Sequence, residues 1–297
     1  MRKLVVLVLA VLTLVLLVPA TASASTLTLK SLATKVAALQ KQVTTQKAKI
    51  KTLSTQLTAA QSVLALAPYV SLDPNAENGV AGPNIVFQGA NVTVRSSQTN
   101  GDGTGTGNLI VGWDEVPSPA PSPLRTGDNN LVCGNDNNFT SSGGFVAGYL
   151  NTVSGAEASV SGGRLNVASD QCSSISGGYN NFSDAFCSSV SGGDNNHASG
   201  LYSSASGGYV NTASGTYSSV SGGAFGIAND HATSVSGGYG GIAGDGTGGP
   251  NAATGDYSNV SGGYDNWATG GYAAVSGGDF LTESTTYGWM GGTYHTP

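Results

Sequence analysis

Charge is scarce in this chain, and what little there is lies unevenly. Of 297 residues only 9% are charged and 7% aromatic, with three Cys, three His and two Met. So few cysteines exclude a disulfide-dense scaffold, and His197, His231 and His295 stand too far apart to form a metal-spaced pair. From Asp73 onward the only basic residues are Arg95, Arg125 and Arg164, against 17 acids, a net charge of −14. Recognition of nucleic acid begins from a basic surface, so that partner is excluded. Acids are absent before Asp73, where six Lys between Ser25 and Leu72 stand unopposed. The longest apolar run, Leu4–Val18, has 15 residues, fewer than the ~20 of a membrane-spanning helix.

That run has the form of a secretory signal. Arg2 and Lys3 precede it, and Pro19 and the small-residue site Ala22-Ser23-Ala24 come after it, which predicts cleavage after Ala24 and a secreted or cell-surface protein. No Cys follows the run to carry a lipid anchor.

Residues 25–66 carry a heptad pattern. Leu29, Val36, Val43, Ile50, Leu57 and Leu64 fall at one seam position, and Leu32, Leu39, Gln46, Leu53 and Ala60 at the other. An alternating spacing of three and four without a slip predicts a coiled-coil stalk. Val and Ile at the first position with Leu at the second favour two strands, and Gln46 is the kind of polar seam residue that sets register and strand number. Pro68 is expected to end the helix, and residues 67–107 read as a linker with two short strands, 85–87 and 92–94, paired as a cap on the open edge of the downstream repeats.

Residues 108–280 are repetitive. Ser-Gly-Gly comes directly after Val160, Ile175, Val190, Ala205, Val220, Val235, Val260 and Val275, and all intervals are 15 residues except the 25 between Val235 and Val260. A period this short is one rung of a β-solenoid. Numbering each rung from that aliphatic residue, the first and ninth positions (Val160 and Ala168 in one rung) are expected to point inward and the adjacent Ser outward. The seventh is often Asn (Asn166, Asn181, Asn196, Asn211, Asn266), read as a left-handed corner. The thirteenth is often Tyr (Tyr202, Tyr217, Tyr257, Tyr272). Leu109-Ile110-Val111 and Leu131-Val132-Cys133 mark earlier, irregular rungs, with Pro117–Pro123 looped out. The longer interval maps to a loop at about 244–253, and 281–297, with Trp289, Met290 and Tyr294, reads as a C-terminal cap. Cys172 and Cys187 are both thirteenth in consecutive rungs, about 4.8 Å apart if the rungs stack, which leaves open a disulfide or two stacked free thiols. Cys133 has no evident partner.

The cycle Ser204 through Ser218 resembles the head repeats of trimeric autotransporter adhesins of the YadA type, whose repeat runs roughly Ser-Val-Ala-Ile-Gly-x-x-Ala-x-Ala-x-Gly-x-x. The likeness covers about residues 108–280. It implies a left-handed parallel β-roll, three chains side by side and display at a cell surface for attachment to a host matrix, glycan or cell-surface ligand. The chain departs from the family in three ways. Gly162, Gly177, Gly192 and Gly222 stand where the family has a second inward aliphatic, the stalk precedes the head, and no membrane barrel follows Gly277-Gly278.

Signals for chemistry are weak. No Ser has a base oriented by a third group beside it in the sequence. Gly101–Gly105 lacks the lysine of a phosphate loop. Asp194, Asp265 and Asp279 do not recur at a fixed place, as calcium in a Gly-rich roll needs. Asn91, Asn138 and Asn181 begin glycosylation sequons. The expectation is therefore an all-β parallel solenoid behind an α-helical coiled coil, non-enzymatic, with no cofactor and no small-molecule substrate, acting as a homotrimeric adhesive or structural protein. A passive coat spacer, an ice- or surface-binding ladder and a polysaccharide-active solenoid are the alternatives.

Overall fold

The computed structural model describes residues 29–75, 79–96, 105–113, 125–239 and 249–292. The signal segment, Gly101–Thr104, Pro117–Pro123, Tyr294 and His295 lie outside them. The chain forms two compact units, Met1–Val92 and Thr93–Pro297.

In the first unit, α1 runs from Leu29 to Leu64, 36 residues, and so begins and ends on the outermost heptad residues. Six Thr hydroxyls along it, among them Thr34 and Thr58, donate to the carbonyl four residues back and so share that acceptor with the helical ladder. It ends ahead of Pro68 because the residue before a proline is pushed out of helical geometry. β1 (Val70–Asp73) then pairs antiparallel with β2 (Asn84–Phe87), placing Val70 opposite Phe87 and Leu72 opposite Ile85. The expected pairing of 85–87 with 92–94 is not made. Residues 91–96 form no strand, and the partner is the short apolar Val70-Ser71-Leu72 that two flanking prolines, Pro68 and Pro74, disguise as linker.

The second unit is a parallel β-solenoid. One face is a 12-stranded sheet from Leu109–Val111 to Trp289–Met290, and the other a 10-stranded sheet from Asn138–Phe139 to Thr282–Glu283. Every regular rung gives two residues to each sheet, in register with the next rung, as in Ser174↔Ser189 and Phe182↔His197. At ~4.8 Å per rung the 12 strands span about 53 Å. Residues 282–290 continue the pairing, so 281–292 add a turn of the same form. The long interval also resolves more sharply than the sequence allowed. Asn251 and Ala252–Ala253 are regular parts of a rung, which puts the insertion ahead of Asn251.

The core is one aliphatic residue deep. Val160, Val190, Val220 and Val260 from the first position meet Ala168, Ala198, Ala228 and Ala268 from the ninth, all at 0–1% exposure. This matches the expected inward positions. The glycines at the third position do not fill the place of a second inward aliphatic. A Cβ added at Gly192, Gly207 or Gly222 would meet nothing within 4 Å. The fourth position is different. At Gly208, φ is +86° and a Cβ would sit 2.1 Å from the carbonyl oxygen of Gly223 in the next rung, so only glycine lets the backbones close to ladder distance.

The left-handed corners are not at the seventh position. They fall at the sixth (Leu165 φ 59°, Val210 φ 53°, Phe225 φ 59°) and the thirteenth (Cys172 φ 57°, Tyr217 φ 60°, Tyr272 φ 60°). The hydrogen bonds show why. Strand amides donate forward to the following rung, as Ser174 N does to Ser188 O at 3.0 Å, whereas corner amides donate backward, as Tyr217 N does to Leu201 O at 2.9 Å. Left-handed geometry turns those amides round. Each such residue costs ~1–2 kcal/mol, offset by keeping the rung-to-rung bonding unbroken.

Candidate functional site

The seventh-position asparagines are the internal support. Asn151, Asn166, Asn181, Asn196 and Asn211 are completely buried. The Oδ1 of each accepts from the backbone amide one rung on, at 3.0 Å from Asn211 N to Asn196 and 2.8 Å from Gly226 N to Asn211. The Nδ2 donates to two backbone carbonyls, for Asn196 those of Gly192 (2.9 Å) and Gly208 (3.0 Å). The sequon at Asn181 therefore lies inside this ladder, its amide out of reach of a glycosyl donor in the folded chain. Asn91 is exposed, and Asn138 is half-buried with its Nδ2 3.4 Å from Thr152 Oγ1.

With the backbone satisfied internally, the outer corners are free to carry side chains. The thirteenth-position corner carries a rail of rings. Tyr202 and Tyr217 stack with centroids 5.2 Å apart and planes 5° apart. Tyr257 and Tyr272 stack at 4.8 Å and 7°, and Tyr272 and Tyr287 at 5.0 Å and 17°. In the rung where Ala232 interrupts the column, the neighbouring His231 fills in, edge-on to Tyr217 (5.7 Å) and Tyr257 (5.1 Å). Phe186 closes the other end against Tyr202 at 5.4 Å. The rail is thus continuous from Phe186 to Tyr287. Its tyrosines stay between 47% and 76% exposed. Recurrence of Tyr at the thirteenth position was visible in the sequence, but the contributions of Phe186 and His231 from the twelfth were not.

The fifth- and sixth-position corner has a second, more broken rail. The Arg164 guanidinium lies over the Tyr149 ring at 5.3 Å and the Tyr179 ring at 6.0 Å. Further along, Tyr209, Phe225, Tyr239, Tyr264 and Phe280 follow one another at 5.3–6.3 Å, mostly edge to face.

Cys172 and Cys187 stand at the same left-handed corner in adjacent rungs, and both are free thiols, as is Cys133. The Cys172 Sγ is 3.6 Å from Glu157 Oε2. Partial desolvation, the Cys187 thiol and the Glu157 carboxylate together push the Cys172 thiol above its ordinary range.

The remaining candidates are held by neighbours. His197 Nε2 is 2.9 Å from Asp184 Oδ2 on a half-exposed surface. Asp194 accepts from Asn195 Nδ2 (2.6 Å) and Asp265 from Trp267 Nε1 (2.7 Å). Among the described residues no three His, Cys, Asp or Glu side chains gather as a metal site. Among the described residues the surface offers a repeated array of rings along two corners. The chain matches no known protein family and no curated protein.

Proposed function

We propose that this is an exported structural or adhesive protein, a homotrimer in which a coiled-coil stalk carries repetitive solenoids for multivalent attachment. One observation carries the reading. Both heptad columns of α1 are uncovered in the single chain, with Leu32 52% exposed, Val43 48%, Ile50 64% and Leu57 60%. A helix of 36 residues, about 54 Å long, that leaves a continuous apolar seam in water is stable once further copies of the chain cover it. The resemblance of the repeats to YadA-type heads favours three copies, and Gln46 within the seam sets their register. Lys35, Lys47 and Lys49 have no acidic residue along the helix to pair with, so the seam must supply the association. The secretory features of residues 1–24 support export.

Attachment through many identical rungs multiplies weak contacts, because each added engagement is intramolecular once the first has formed. The test is the mass of residues 25–297 by sedimentation equilibrium, followed by retention of the purified oligomer on matrix and glycan arrays. A trimer retained on such surfaces supports the reading. A monomer overturns it, and a trimer that nothing retains leaves a passive spacer in its place.

A further inference from the structure

We infer that the thirteenth-position aromatic rail binds a neutral, extended polysaccharide laid along the solenoid axis. The inference names a ligand class for the adhesive reading above and rests on it for its biological sense, though not for its chemistry.

Three features of the rail define what fits. The first is ring geometry. Tyr202 and Tyr217, and Tyr257, Tyr272 and Tyr287, are nearly parallel with centroids 4.8–5.2 Å apart. That is about one rung per ring, so the rings form a column along the solenoid axis. Tyr217 remains 57% exposed and Tyr287 76%. The exposed strip is apolar in body with a phenol at each step, which suits a partner whose units are themselves apolar on one face and hydroxylated at the edge. Pyranose rings have that character, whereas a lipid chain would need a closed apolar groove that an outer corner does not provide. His231 lies in the same row with its Nδ1 buried and without a hydrogen-bond partner, a further polar group within the rail.

The second feature is period. The rail offers one ring per rung from Phe186 to Tyr287, so its partner must be a linear polymer that repeats. The third is charge. From Asp73 onward the chain carries a net −14, and Asp230 and Asp256 lie in the same corner turns as His231 and Tyr257. An anionic glycan would be repelled along the whole rail, which selects a neutral one.

The experiment uses the full secreted chain in affinity gels containing a neutral glucan, glucomannan or soluble chitin derivative, with heparin as the anionic comparison. Retardation by at least one neutral polymer and none by heparin is expected. Substituting Tyr217→Asn, Tyr257→Asn and Tyr272→Asn together removes the faces while retaining a residue that tolerates left-handed geometry, and weakens binding by about tenfold or more. The same change at Tyr209, Tyr239 and Tyr264 on the opposite corner leaves binding within about twofold of the parent. Should the rail variant fail to fold, nitration of the parent's tyrosines with and without the polymer answers the question. Protection confined to the rail tyrosines, Tyr202, Tyr217, Tyr257, Tyr272 and Tyr287, supports the inference, and equal protection at both corners overturns it. Unchanged binding by a folded rail variant, absence of neutral-glycan binding by the parent, or equal retention by heparin also overturns it. A trimer that binds no neutral glycan sinks this inference alone, while a monomer that loses binding with the rail sinks the trimeric reading alone.

Discussion

The backbone amide of Asn196 donates to the Oδ1 of Asn181 at 2.8 Å, across 15 residues of chain and between two residues with no exposure to solvent. The same bond recurs rung after rung, so the interior is held by a polar row as much as by its single file of valines.

Asn196→Ala should therefore cost more than its lost volume. It strips the partner from the buried Asn211 backbone amide and one from the part-buried Gly192 carbonyl, while the Gly208 carbonyl keeps the Asp194 amide. At ~1–3 kcal/mol for each group left unmatched, a loss of about 2 kcal/mol or more is expected in urea unfolding. A change below about 1 kcal/mol would show that the ladder is a consequence of the fold rather than a support for it.

Gly207→Ala and Gly208→Ala form an adjacent pair with different outcomes. Gly207 needs an unusual φ of +147° but has open space around it, so its substitution should cost about 1–2 kcal/mol. At Gly208 the new methyl would meet the Gly223 carbonyl oxygen at 2.1 Å and the Asn211 side-chain Nδ2 at 2.6 Å, forcing two rungs apart. Thermal melts should rank Gly208→Ala far below Gly207→Ala, and equal melting temperatures would refute the close-approach account.

In the helix, Ile50→Asp places a charge in the seam and should dissociate the proposed oligomer, seen as a fall to monomer mass and a loss of helical ellipticity with the β signal kept. Gln46→Leu should act oppositely and raise the melting temperature of the helix. If Ile50→Asp leaves the mass unchanged, association does not run through α1.

The Cys172 thiol is held above the usual thiol range by desolvation first, then by Cys187 and Glu157. Its neutral form thus persists to higher pH, and iodoacetamide should label it more slowly than an unstructured cysteinyl peptide near pH 8. Glu157→Gln removes one negative neighbour and should speed labelling. Labelling at the peptide rate in both proteins would contradict the packing of this column.

Glu283 has its carboxyl pulled below the ordinary carboxylate range by hydrogen bonds from Thr285. A depressed folded value means that the stabilisation is complete above the unfolded pKa of ~4.3 and is lost as pH falls through the lower, folded one. The last turn should loosen in that acid window, read by Trp289 fluorescence or amide exchange, and Glu283→Gln should remove the pH dependence. A transition of the same size in that variant would place its origin elsewhere.

Much of this architecture was legible because it depends on periodicity. The unbroken alternation from Leu29 to Leu64 marked the helix within the 25–66 segment, and Val160 and Ala168 at fixed places in a 15-residue cycle marked the two inner walls. What was misread depends on backbone direction. After glycine, Asn is the residue that most readily turns left-handed, so Asn166 and its equivalents invited a corner role, while the preceding residue holds it, whether Leu165, Val210 or Phe225 or, in two rungs, Asn180 and Asn195. The reversal of hydrogen-bond direction at the corner explains the shift by one position, and the mixed composition of that position hides it. The Phe186 and His231 members of the rail were hidden for a related reason. At a corner, side chains one position apart in sequence can reach the same column in space.

The uniform rung also bears on how such a molecule changes over generations. Each regular turn bonds to the turns before and after it through the same backbone atoms, so among the regular turns one cassette of 15 codons can stand in for the next. Unequal crossing-over between copies would lengthen or shorten the body by a fixed step of ~4.8 Å and leave every remaining joint intact. Reach is inherited in whole numbers, and a population can sample it without ever passing through an unfolded intermediate form.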